Sequence, residues 1–206
     1  MNETIILDRA KTIMGENFIG VDELKKISWL KVEDTQYIPE IPFSEEELIN
    51  KKNEYLLILG LDSLSDGRKI TIRNIQTIFG KNPDQKEPCF YNQDWYEKEA
   101  FIDIPMNAGW FLIRKNVYEE SRAVLPTELI KTFRFPAAIT CVYAFFVSWF
   151  SRDIKLWYHD FVWCCDTDHN GDRIYVGKYH DVDGVNKNGF SIHRHLELRP
   201  CYGCID

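Results

Sequence analysis

Apolar and polar positions follow two different periods along this chain, and the change of period organises it. Over residues 1–30 the apolar side chains Ile5, Ile6, Ala10 and Ile13, then Leu24 and Ile27, recur at helical spacing. That spacing predicts two short helices either side of the Gly15–Gly20 region. YIPEIP, residues 37–42, carries two prolines and reads as a linker. Ser44-Glu-Glu-Glu47 is a capping-box pattern that opens a helix running to about Lys52. YLLILGL, 55–61, is a short apolar run ending near a glycine, as a buried strand would be. TIRNIQTIFG, 71–80, has Ile72, Ile75 and Ile78 at three-residue steps and a closing glycine, which predicts a short helix.

GWFLIRKNV, 109–117, reads as a strand, and YEESRAVLPTELIKTFRF, 118–135, as two helical pieces broken near Pro126. PAAITCVYAFFVSWF, 136–150, is the most apolar segment; it predicts a buried helix with Pro136 in its first turn. From about residue 155 the period falls to two. KLWYHDFVWCC, RIYVGKYH and FSIHRHLELRP are rich in β-branched and aromatic residues and are separated by Gly, Asn and Asp turns. A three-strand sheet needs a cover for its apolar face, and helix 136–150 supplies one, so this shift of pattern is not a domain boundary. The expected fold is α+β: a mostly helical accessory region, 1–100, packed as one unit on an α+β region, 101–206, with a C-terminal antiparallel sheet.

Composition narrows the function classes. The formal net charge is −7, which repels a phosphate backbone, and no basic patch offsets it, so nucleic acid is not an expected partner. Segment 136–150 falls short of the roughly 20 apolar residues that span a bilayer, so no membrane partner is expected. The N-terminal stretch lacks a basic region followed by a long apolar run, and the expected compartment is the cytoplasm. There, six cysteines are more naturally thiols or metal ligands than a disulfide framework.

The densest chemistry lies in CCDTDHNGDRIYVGKYHDVDGVNKNG, 164–189. Asp166, Asp168, Asn170 and Gly171 fill positions 1, 3, 5 and 6 of a calcium loop, with Asp172 at 7, but position 12 is Gly177, not glutamate. The alternative is a polar hairpin turn in which aspartates bond their own backbone and Asn170-Gly171 supplies the turn. Cys201 and Cys204 have the spacing of a zinc pair. A second pair is not evident: Cys164 and Cys165 point to opposite faces of a strand, while His193 and His195 share a face. No cofactor is therefore expected, with calcium or zinc as the alternatives. No nucleophile elbow, phosphate loop or HExxH appears, and the reading leans away from an enzyme. CFYNQDWYEKEAF, 89–101, is a second candidate surface through Trp95, or else a set of core rings.

The run Trp163-Cys-Cys-Asp-Thr-Asp, the strand Arg173–Tyr179, the turn Asn188-Gly189-Phe190 and the closing strand to Arg199 resemble the closing segment of C-type-lectin-like domains of bacterial proteins. These include the Fibrobacter major-paralogue and formylglycine-generating-enzyme-like types. The resemblance covers roughly residues 130–204, with 136–147 in place of the helix that follows a proline in those domains. No cysteine pair here matches the catalytic pair of the formylglycine-generating branch. The resemblance thus implies a non-enzymatic module that binds a protein or small-molecule ligand through the loops 165–172 and 180–190. The contact residues expected are Asp166, Asp168, Asn170, Asp172, His180, Asp183, Asn186 and Trp95. The alternative is a metal-dependent enzyme or metal-stapled protein using Asp166, Asp168, Asn170, Cys201 and Cys204.

Overall fold

The longest helix, α6 (Ala138–Arg152), buries every residue from Ala138 to Ser148, and the rest of the chain is arranged around it. The computed structural model describes residues 5–33, 37–82, 84, 86–178, 189–194 and 197–206. Before α6 the chain runs α1 (Leu7–Met14), β1 (Phe18–Ile19), α2 (Val21–Leu24), α3 (Glu45–Lys51), β2 (Tyr55–Gly60), α4 (Ile72–Phe79), β3 (Gly109–Arg114) and α5 (Pro126–Leu129). After it come β4 (Phe161–Thr167), β5 (Arg173–Gly177), β6 (Ser191–His193) and β7 (Tyr202–Gly203). The fold is α+β with two sheets.

The first sheet has the order β1-β2-β3, β1 parallel and β3 antiparallel to β2. All six residues of β2 are buried, which is why YLLILG carries no alternation: a central strand covered on both faces reads as a continuous apolar run. This sheet joins residues on both sides of position 100, and one hydrophobic core runs through both regions. Local signals fix the helices beside it. Ser44 Oγ accepts from Glu47 N at 3.1 Å to start α3, and Thr71 Oγ1 accepts from Asn74 N at 3.1 Å to start α4, which Gly80 ends.

The second sheet has the order β6-β5-β4-β7. Its first three strands are antiparallel, as expected; β7 is an addition and pairs parallel to β4 (Phe161↔Tyr202, Val162↔Gly203), so the sheet is mixed. Side chains alternate across it. Val162, Cys164, Ile174, Val176 and Ile192 enter the main core with α6, while Phe161, Trp163, Tyr175 and Tyr202 form a second aromatic core with Leu129 and Phe135. The α6 residue Tyr143 donates to Leu59 O at 2.9 Å, so the helix contacts both sheets. It begins at Ala138, two residues beyond Pro136. The Pro136 carbonyl instead accepts from Cys165 N at 2.9 Å. Pro126 opens α5 at its first position, where a missing N–H costs nothing.

No helix among the described residues is long and apolar enough to cross a membrane.

Candidate functional site

The β4–β5 connection is a hairpin loop organised by Asp168. Its Oδ1 accepts from Asn170 N at 2.9 Å and Asp172 N at 2.8 Å, and its backbone N–H donates to Asp172 O at 3.0 Å. Gly171 takes φ +87°, a value that suits glycine, and closes the turn with a bond from its N–H to Asp168 O at 3.0 Å. Burial pushes the Asp168 carboxyl up. The two amide donors and the Arg194 guanidinium outweigh that, and its pKa lies below the ordinary aspartate value.

Asp166, two residues earlier, serves a different partner. Its Oδ2 accepts from Ala138 N at 2.6 Å, placing a carboxylate at the N-terminus of α6. Burial dominates here and raises its pKa, the amide from Ala138 pulling the other way. The loop aspartates therefore do not converge: Asp168 holds its own turn, and Asp166 caps a helix.

What converges on Asp168 comes from distant parts of the chain. Glu99, just before the 3₁₀ turn Ala100–Asp103, meets His169 twice: Oε1 lies 2.7 Å from Nδ1, and Oε2 accepts from the backbone N at 3.0 Å. Arg194, just after β6, pairs with Asp168 Oδ2 and sits 3.4 Å from Glu99 Oε1. Its guanidinium carbon lies 4.5 Å from the centre of a Trp95 ring. Glu99 and Asp168 are buried, whereas the His169 side chain is 66% exposed. Among the described residues, Glu99, Asp168 and His169 are the group of three metal-capable donors, with donor atoms within 4.8 Å of one another. Arg194 already supplies a cation to both carboxylates.

The 89–101 segment closes the edge of the second sheet. Ile192 N donates to Gln93 Oε1 at 3.2 Å, and Trp95 Nε1 donates to Ile192 O at 3.0 Å. Phe90 and Tyr96 are buried core rings; Trp95 is half-buried. His180, Asp183 and Asn186 lie outside the described residues. The residues flanking that stretch share one anchor, since Glu87 Oε1 pairs with Lys178 Nζ and accepts from Gly189 N at 2.9 Å.

Cys164 is buried and Cys165 exposed, on opposite faces as the strand reading requires. Burial, then the neighbouring Cys141 thiol, push the Cys164 thiol well up. Cys204 is buried, its N–H donating to Ser121 Oγ at 2.9 Å, and Cys201 is half-buried. Among the described residues no cysteine belongs to a group of three metal-capable donors. His193 stacks on Tyr175, ring centres 5.7 Å apart.

Sequence reasoning missed Glu99 and Arg194. Both lie in segments, CFYNQDWYEKEAF and FSIHRH, whose aromatic rings and histidines give the stronger local signal. The chain matches no family model, no curated protein and no solved structure.

Proposed function

We propose that this chain is a non-enzymatic binding module, of the C-type-lectin-like kind its closing segment resembles. It would meet a protein or small-molecule ligand through the paired loops 91–99 and 165–172. The observation that carries the reading is the bonding of those loops to each other and to the end of β6. Glu99 with His169, Asp168 with Arg194 and Trp95 with Ile192 hold three distant segments in one fixed arrangement. They leave Asn92, Asp94, His169 and Asn170 exposed. A surface ordered in advance loses less conformational entropy on binding.

The test is a pair of charge-inserting variants, Asp94→Arg and Asn170→Arg, at exposed side chains. Ligand screening and affinity capture are run with each variant beside the parent, and any ligand found is re-measured with purified components. Lost binding at an unchanged melting temperature supports the reading. Retained binding in both variants overturns this surface as the contact.

A second reading, a divalent metal on Glu99, Asp168 and His169, is favoured by their 4.8 Å grouping. It requires the ion to displace Arg194 from Asp168. A melting temperature unmoved by zinc, calcium or a chelator eliminates it.

A further inference from the structure

Two asparagines of this chain precede glycine, Asn170 and Asn188. An asparagine followed by glycine can lose its side-chain amide without an enzyme. The next backbone nitrogen, deprotonated, attacks the asparagine Cγ; the new N–Cγ bond forms as the Cγ–Nδ2 bond breaks, and ammonia leaves carrying the proton. Water then opens the five-membered imide at either carbonyl to give aspartate or isoaspartate, so the net change is water in and ammonia out. Glycine permits the attack because no Cβ shields its nitrogen.

The structure treats the two glycines differently. A Cβ at Gly171 would meet nothing within 4 Å, and Gly171 sits in an exposed loop with exposed Asn170. At Gly189 the same point is crowded by Tyr91 N at 2.4 Å and Phe90 C at 2.5 Å. The Gly189 N–H is also held by Glu87, the carboxylate that pairs with buried Lys178. Gly171 N–H is held only by the carbonyl of its own turn, Asp168 O. Freeing the Gly171 nitrogen takes the opening of one exposed turn; freeing that of Gly189 takes the loss of a buried ion-pair anchor.

We infer that Asn170 is a site of spontaneous deamidation in the folded protein and that Asn188 is protected by the anchoring of Gly189. The site does not depend on any partner of the loop. Its product changes the Asp168 turn: aspartate adds a negative charge beside Asp168 and Asp172, and isoaspartate lengthens the backbone between two amides that Asp168 Oδ1 accepts from. The modified loop holds Arg194 less firmly.

The experiment ages the full chain in mildly alkaline buffer, folded and urea-unfolded, and follows both asparagines by peptide mapping. In the folded protein Asn170 converts at least about tenfold faster than Asn188, the difference set by local opening, and in urea the two rates converge. Folded-state conversion of Asn188 as fast as Asn170 overturns the inference. So does an Asn170 that stays intact while it converts in urea. Asn170→Gln removes the fast conversion and leaves the slow one.

Discussion

Arg194 lies across Trp95 with its guanidinium carbon 4.5 Å from the ring centre, while the same guanidinium pairs with the buried carboxylate of Asp168. One side chain thus fixes the aromatic loop, the β4–β5 hairpin and the end of β6 to one another. Removing it takes the Arg194 charge away from the buried Asp168 carboxylate, which costs more than the pair itself contributes. Arg194→Ala is expected to lose about 2–3 kcal/mol, below the full penalty for a stripped buried pair because the two amide donors stay. Arg194→Lys should recover only part, since an ammonium keeps the charge but not the planar fork that stacks on Trp95. Urea titration measures both; a loss under about 0.5 kcal/mol, the range of ordinary surface changes, defeats the argument.

Asp166 and Asp168 should respond to pH in opposite senses. Asp168 has its pKa depressed in the fold. Its contribution is present above the unfolded aspartate value of about 3.9 and is lost as pH falls through the folded value. Asp166 is raised, so its effect on stability is favourable below the unfolded value and is lost as pH climbs through the folded one. Asp168→Asn should therefore destabilise at neutral pH, with a penalty that shrinks in acid. Asp166→Asn should cost little at neutral pH, where its carbonyl can still accept from Ala138 N, and should remove the loss of stability that sets in as pH climbs above the unfolded aspartate value. Denaturant midpoints across the acid range distinguish the two slopes.

Lys178 has a side chain only 5% exposed, paired with Glu87 and donating to Tyr158 OH at 2.7 Å. Glu87→Gln strips a buried ammonium of its charge partner and should cost about 3 kcal/mol. Adding Lys178→Met to that variant should restore much of the loss, because the uncompensated charge is gone. A double variant no more stable than Glu87→Gln contradicts this account of the pair.

Ile192, on edge strand β6, has its outward N–H and C=O taken by Gln93 and Trp95. An exposed strand edge is a template for pairing with another chain, and here two side chains occupy it. The double change Gln93→Ala with Trp95→Phe should promote concentration-dependent self-association, read by sedimentation or light scattering. A variant that stays as monodisperse as the parent refutes that role.

Much of the scaffold was legible because its signals are local. Ser44, Thr71 and Gly80 act within one helical turn, and the apolar run of β2 records burial on both faces. The short strands were not legible: β1 spans two residues inside a gap between helices, and β7 lies in a stretch, CYGC, that reads as a metal pair. The start of α6 shifted because Cys165 and Asp166, far along the chain, bond Pro136 and Ala138. For the same reason the Asp168 cluster escaped notice. Its Arg194 and Glu99 lie 26 and 69 positions from Asp168, and no periodicity encodes a pairing at that range. The turn itself, with Asp168 bonding its own backbone, was one of the two alternatives the residues allowed.

The position of β7 bears on how the chain is made. β7 pairs with β4, the carbonyls of Tyr202 and Cys204 accept from the backbone N–H groups of Ala123 and Tyr118, and Asp206 accepts from the Tyr55 hydroxyl at 2.5 Å on the far sheet. The seal between the two halves is therefore translated after every element it closes. A nascent chain leaving the ribosome can form local helices early, but it carries uncovered aromatic surface at Phe161, Trp163 and Tyr175 until residues 202–206 emerge. Closure of this aromatic core then waits on residues far from it in sequence, and a chain cut before Tyr202 exposes that surface to aggregation.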